Sequence, residues 1–242
     1  MPIMKAIAMW SGPRNISTAM MRSWENRPDT KVVDEPLYAY YLKTTGIVHP
    51  GNDEVLVSQP NDWKTVATEL TEPFDDADIY YQKHMSHHLL DEVELGWLDK
   101  LTNCFLIRDP KYVVASYSKA REEVVADDLG FRQQVKLFNY LKDKNGEAPL
   151  VIDSHRFLQN PRSHQEAICQ HLDIPFYEEM LQWPEGKRGS DGVWAPYWYA
   201  NVEKSTCFQP FVERNIELNK EQQEIADECN DYYQELIQYA ID

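Results

Sequence analysis

Apolar residues along this chain fall into two rhythms. Short continuous runs predict buried strands at Lys5–Trp10 (KAIAMW), Lys31–Val33, Asp78–Gln82 (DIYYQ), Cys104–Ile107 (CFLI) and Leu150–Asp153. Between them the apolar positions recur at helical spacing. Ser17–Glu25 carries Ala19, Met20 and Trp24 in this way, and Leu37–Lys43, Trp63–Leu70 and Phe131–Lys142 also read as helices. Asp109 can cap a helix that has Pro110 at its first position and runs through Lys111 to Glu123. Asn160-Pro161 opens another, ending near Leu172, and the last runs from Asn219 to Tyr239 with Ile225, Tyr232, Leu236 and Tyr239 on one face. His49–Pro60 and Gly186–Phe208 lack periodicity and read as loops. Strands alternating with helices imply an α/β fold, a central parallel β-sheet flanked by helices in a three-layer sandwich. A length of 242 residues fits a single domain over 1–242.

Charge narrows the partners. Forty acidic residues against 24 basic ones leave a net charge of −16, which disfavours nucleic acid or an anionic membrane as a partner, since both need a basic face. The four cysteines, Cys104, Cys169, Cys207 and Cys229, are widely spaced and show no metal-ligand spacing. No signal-like segment or membrane-length apolar run is visible, so a cytoplasmic protein is expected. The stretch Ile3–Trp24 departs from the general balance. The first 24 positions of the chain contain no acid but hold Lys5, Arg14 and Arg22.

That stretch reads as strand, loop, helix. Such a turn aims backbone N–H groups and the positive end of a helix at one spot, which suits an anion. Gly12-Pro13-Arg14-Asn15-Ile16-Ser17-Thr18 has the length of a phosphate loop but lacks the Gly-Lys pair of a nucleotide triphosphatase. Arg14, Glu35, Lys83 and Arg108 each lie just past a predicted strand end. In parallel sheets that edge is where ligands bind. Arg108 and Ser116, eight residues apart, could grip one phosphate; a surface arginine and a serine bonded to its own helix is the plainer alternative.

Together these segments resemble the sulfotransferase family, whose donor is 3′-phosphoadenosine 5′-phosphosulfate (PAPS). Pro13-Arg14-Asn15-Ile16-Ser17-Thr18 is similar to the family's 5′-phosphosulfate loop. Phe105-Leu106-Ile107-Arg108-Asp109-Pro110 with Ser116 resembles its 3′-phosphate motif, and Lys187-Arg188-Gly189-Ser190-Asp191-Gly192-Val193-Trp194 resembles its late loop, which also reaches the 3′-phosphate. Lys83 falls where many members place a lysine near the transferred group. The sequence departs from the pattern at Ile16, which stands for the usual Gly, in the Lys187-Arg188 order, and at Val193, which stands for Asp. The resemblance implies a P-loop NTPase-like sandwich that transfers a sulfuryl group from PAPS to a hydroxyl or amine of a small molecule without a metal.

Two candidates for the base follow. Glu35 resembles the glutamate that some bacterial and tyrosylprotein members carry after the second strand, and it suits the arginine-type loop. His84, His87 and His88 are rivals, because cytosolic members use a histidine shortly after the lysine and imidazole titrates near neutrality. The aromatic run Trp194–Tyr199 could line the acceptor pocket, stack on adenine or pack beneath its own loop, and Asp34 and Tyr38–Tyr41 could border the pocket. Two other functions remain open: a kinase-like phosphotransferase, weakened by the missing Gly-Lys pair, and a non-catalytic nucleotide-binding module, which Ile16 keeps in play. The oligomeric state is not legible.

Overall fold

The structure is a computed structural model that describes residues 4–73, 76–119, 121 and 124–242. Five strands, β1 (Lys5–Ser11), β2 (Thr30–Asp34), β3 (Ile79–Met85), β4 (Thr102–Ile107) and β5 (Leu150–Asp153), form one sheet in the order β2-β3-β1-β4-β5. Every pairing is parallel. Helices α1 (Ser17–Glu25), α2 (Tyr38–Thr45), α3 (Asn52–Ser58), α4 (Trp63–Thr71), α5 (Pro110–Tyr117), α6 (Phe131–Asn145), α7 (Ser154–Gln159), α8 (Pro161–His171), α9 (Ala195–Trp198) and α10 (Lys220–Ile237) connect and cover the strands.

The strands are apolar on both faces because both are covered. In β1, Ala6, Ala8 and Trp10 pack with Phe105, Phe138 and Leu236 on one side. Ile7 and Met9 pack with Met20, Trp24 and Ile168 on the other. Among the described residues no helix is long and apolar enough to cross a membrane. The four cysteines are free thiols.

The predicted strands and most predicted helices are present, but α7 is not among the predicted elements, α9 interrupts the predicted Gly186–Phe208 loop, and three further differences stand out. His49–Pro60 is not all loop: α3 spans Asn52–Ser58. Gly51 sets it up with φ +75, a region glycine enters without a steric cost, and a Cβ there would also meet the Tyr197 ring at 2.6 Å. The helix buries only Val55 fully, with the adjacent Leu56 partly buried against the same cluster, and two neighbouring residues leave no period to read. The helix after Asp109 ends at Tyr117 rather than near Glu123; Glu123, like Ile3, lies outside the described residues. The third strand runs on through Lys83 and His84 to Met85 instead of stopping at Gln82. This last difference decides which side chains reach the site.

Candidate active site

The C-terminal ends of β1, β2, β3 and β4 open onto one cleft of about 400 Å³. Its floor is the turn from β1 to α1. Asn15 shapes this turn, with its Oδ1 accepting from the Ile16 N–H and its Nδ2 donating to the Leu106 carbonyl, both at 2.9 Å. The helix that follows has no side-chain cap and no acid in its first turn. Its leading N–H groups are therefore available to an anion. Gly12 is required for a different reason: a Cβ there would lie 2.5 Å from the Leu129 carbonyl oxygen.

Ile16 does not need to be glycine, since its φ is −71. The left-handed residue is Arg14, at φ 56. Non-glycine residues in that region cost about 1–3 kcal/mol and persist only where neighbours hold them. Here Arg108 Nη1 donates to the Arg14 carbonyl at 2.6 Å, and Arg14 Nε donates to Ser116 Oγ at 3.0 Å. The two anion motifs thus meet directly. Burial, with the Arg14 charge beside it, lowers the pKa of Arg108. Two guanidiniums so close are a poor arrangement unless an anion is expected between them.

Opposite stands a second cluster around Lys83, whose side chain is 1% exposed. Lys83 and Asp34 are register partners on neighbouring strands. The ammonium donates to Asp34 Oδ1 at 2.7 Å, Glu35 Oε1 at 2.5 Å and Tyr199 OH at 2.8 Å. Glu35, at φ 42, keeps 12% of its side chain open to the cleft. Gln59 Nε2 holds its backbone by donating to the Asp34 and Glu35 carbonyls. Burial raises the Glu35 pKa above 4.5, Lys83 pulls it back, and Asp34 raises it further. Burial works against the Lys83 charge, but Asp34 and Glu35 outweigh it, so the lysine pKa is raised.

The histidines divide. Successive strand residues face opposite sides of a sheet, and β3 continues past Lys83, so Lys83 and His84 cannot share the cleft. His84 lies on the far face, stacked on Trp10 at 4.2 Å with Nε2 3.1 Å from Gln82 Oε1. His87 lines the cleft, where burial lowers its pKa to about 3. His88 also lines it, sandwiched between Tyr38 and Tyr41 with both ring centroids at 4.7 Å. His49, hydrogen-bonded through Nδ1 to Tyr38 OH at 2.7 Å, completes this wall, and burial lowers its pKa to about 4. The far end of the cleft is thus aromatic, with burial and the nearby Arg121 charge both disfavouring protonation of His49. His49, His87 and His88 form no metal-ligating group among the described residues.

Of the residues singled out in the sequence, Pro13, Arg14, Asn15, Ile16, Ser17, Thr18, Glu35, Lys83, His87, Arg108 and Ser116 line the cleft. Lys187, Arg188 and Gly189 do not. The Arg188 N–H donates to Asp191 Oδ2 at 2.8 Å, and its guanidinium turns toward the Pro184 carbonyl. Asp191 is held by the fully buried Arg22 at 2.7 Å. The late loop is stitched to the back of α1 rather than the mouth of the cleft. Residues Cys207–Gln209 line the cleft instead. Phe211 wedges against His155 and Tyr112, and Tyr112 lies under the Arg108 guanidinium at 5.7 Å. Arg214, farther along this strap, adds its charge to the field at Arg108. No motif marks the strap, so nothing in the sequence singled out Arg214.

A parallel sheet thus carries an uncapped phosphate-type turn, two arginines and a carboxylate–lysine pair at its C-terminal edge, an arrangement suited to an anionic ligand. A family model for the sulfotransferase domain matches residues 4–222, and the chain belongs to that family. Two Arabidopsis thaliana proteins, branched-chain-amino-acid aminotransferase-like proteins 1 and 2, are 35% and 33% identical over 84% and 85% of this chain. The chain spans only 36% of the length of each. Among solved structures, a sulfotransferase domain from the curacin biosynthetic pathway aligns over 95% of this chain and 99% of its own, with 14% identity and a TM-score of 0.51. Mouse sulfotransferase SULT7A1 complexed with PAP aligns over 93% and 82%, with 13% identity and a TM-score of 0.54. At these identities the structural matches speak to the fold.

Proposed function

We propose that the protein transfers a sulfuryl group from PAPS to a hydroxyl or amine of a small-molecule acceptor. The observation that carries this reading is the meeting of Arg14, Arg108 and Ser116 beside an uncapped helix start, across the cleft from Glu35 and Lys83. The donor supplies an activated sulfuryl group on a phosphate leaving group. Arg14, the first N–H groups of α1, Ser17 and Thr18 suit its 5′ end, while Arg108 and Ser116, with Arg214 nearby, suit the 3′-phosphate. The PAP named in the mouse structure favours a donor of this class.

In the transfer the acceptor oxygen or nitrogen forms a bond to sulfur as the bond from sulfur to the phosphate oxygen breaks, and the electron pair stays on that oxygen. The acceptor proton passes to Glu35. Lys83 and Arg14 counter the charge that grows on the leaving phosphate. Glu35 is preferred to the histidines on geometry. His84 is on the wrong face of the sheet, and His88 is packed between two tyrosines. His87 reaches the cleft but is held as a very weak base.

A ligand that binds the native state raises its melting temperature. 3′,5′-Adenosine bisphosphate is therefore expected to raise Tm more than AMP or ATP, because AMP lacks the 3′-phosphate and ATP places its charge elsewhere. Equal shifts for all three nucleotides, read by differential scanning fluorimetry, would remove the PAPS reading.

A further inference from the structure

Lys83 has three protons, and all three are committed: to Asp34, Glu35 and Tyr199. The Tyr199 hydroxyl is equally used, donating to Asp34 Oδ2 at 2.7 Å while accepting from Lys83 and from Trp194 Nε1 at 3.1 Å. Asp34 accepts from Lys83, Tyr199 and the Gly192 N–H, the last at 3.1 Å. Asp34 and Tyr199 are buried, and neither is needed to contact an acceptor for the transfer just described. The late loop, which does not line the cleft through Lys187 or Arg188, arrives here through Gly192 and Trp194, and Tyr199 follows it at the end of α9.

The charges show what this network can do. Two carboxylates share one ammonium. When Glu35 takes the acceptor's proton it becomes neutral. If Glu35 were the only counter-ion, Lys83 would then be a buried cation with no partner, and such a charge is costly enough that the group tends to neutralise. Asp34 prevents this. It remains bonded to Lys83 at 2.7 Å while Glu35 cycles, so the ammonium keeps a partner at the moment the leaving phosphate needs it. Tyr199 bridges Asp34 and Lys83 and keeps the ammonium within reach of Glu35.

We propose that Asp34 and Tyr199 are positioning residues that keep Lys83 charged and fixed while Glu35 alternates between carboxylate and carboxylic acid, and that the late loop serves this reacting end of the site. The proposal rests on the sulfuryl-transfer reading. It predicts a split between turnover and donor binding. In PAPS turnover with water as acceptor, Asp34→Asn is expected to lower kcat about 100-fold, the size of effect that follows from misplacing a reacting group by an ångström. Tyr199→Phe, which keeps the ring and its packing, is expected to lower kcat about 10-fold by loosening the same group. Both variants should keep the wild-type KM for PAPS and the wild-type melting shift with 3′,5′-adenosine bisphosphate. Asp34→Asn also removes the like charge that raises Glu35, so the acidic limb of its kcat profile should move to lower pH. Wild-type kcat in both variants would overturn the proposal. So would a fall in kcat matched by an equal loss of the nucleotide-induced shift, or an unmoved acidic limb in Asp34→Asn, because a merely structural role predicts those results. A wild-type protein that binds the bisphosphate but consumes no PAPS would instead overturn the transfer reaction itself, and this role with it.

Discussion

Glu35→Gln is expected to lower kcat for sulfuryl transfer about a thousandfold, the middle of the range for a positioned general base, while leaving bisphosphate binding intact. The change is nearly isosteric. It keeps an oxygen to accept from Lys83, and the local backbone is held independently by the two hydrogen bonds from Gln59. What it removes is the ability to take a proton. The pH dependence provides a second readout. The working form of the base is the carboxylate, so kcat should rise with pH through a pKa displaced upward from 4.5 by burial. No limb should come from His87, which is neutral well below pH 6.5. Steady-state kinetics of the variant together with a kcat–pH profile of the wild type check both points. If Glu35→Gln retained turnover while His87→Ala lost it, the base would be the histidine.

The second large effect belongs to Arg14. Arg14→Ala should reduce kcat/KM about 100- to 1,000-fold, the usual result of deleting one preorganised donor to developing oxyanion charge, with little change in the urea midpoint. The reason is where the residue sits. Its left-handed backbone is held by the Arg108 hydrogen bond to its carbonyl, which alanine keeps. Its side chain lies in the cleft, bonded to Ser116 rather than to the core. Losing it therefore takes away little packing and much positive charge. A variant with unchanged kcat/KM would make Arg14 a bystander at the cleft wall; one that simply melted earlier would make it a structural support.

Much of this architecture is legible in the sequence because it rests on local, repetitive signals. β1 and β5 are continuously apolar over residues 6–10 and 150–152, and α1 opens after a Gly-Pro break, so the order of residues alone places the strand–turn–helix that carries Arg14. The Arg108–Asp109–Pro110 stretch marks its own helix start, which Asp109 caps by accepting from the Lys111 N–H. Other features depend on where a strand stops or where a loop lands. Lys83 and His84 read as neighbours at the start of one turn, and a strand three residues longer sends them to opposite faces. Lys187 and Arg188 carry the composition of a phosphate-binding loop, yet the ion pair between Arg22 and Asp191 draws their segment behind α1. That pairing joins residues 169 positions apart and has no local signature. The Asp34–Lys83–Tyr199 network is likewise assembled from three distant segments, and Arg214 stands on a strap without periodicity. Sequence pattern conveys the elements and the anion turn; long-range contacts decide which polar groups serve the cleft.

The most direct test of the account is a crystal structure of the protein soaked with 3′,5′-adenosine bisphosphate. The account predicts nucleotide density in the cleft with its 5′-phosphate at the first N–H groups of α1 and Arg14, and its 3′-phosphate against Arg108 and Ser116. A cleft without nucleotide at saturating concentration, or a nucleotide whose 3′-phosphate touches neither Arg108 nor Ser116, would contradict it.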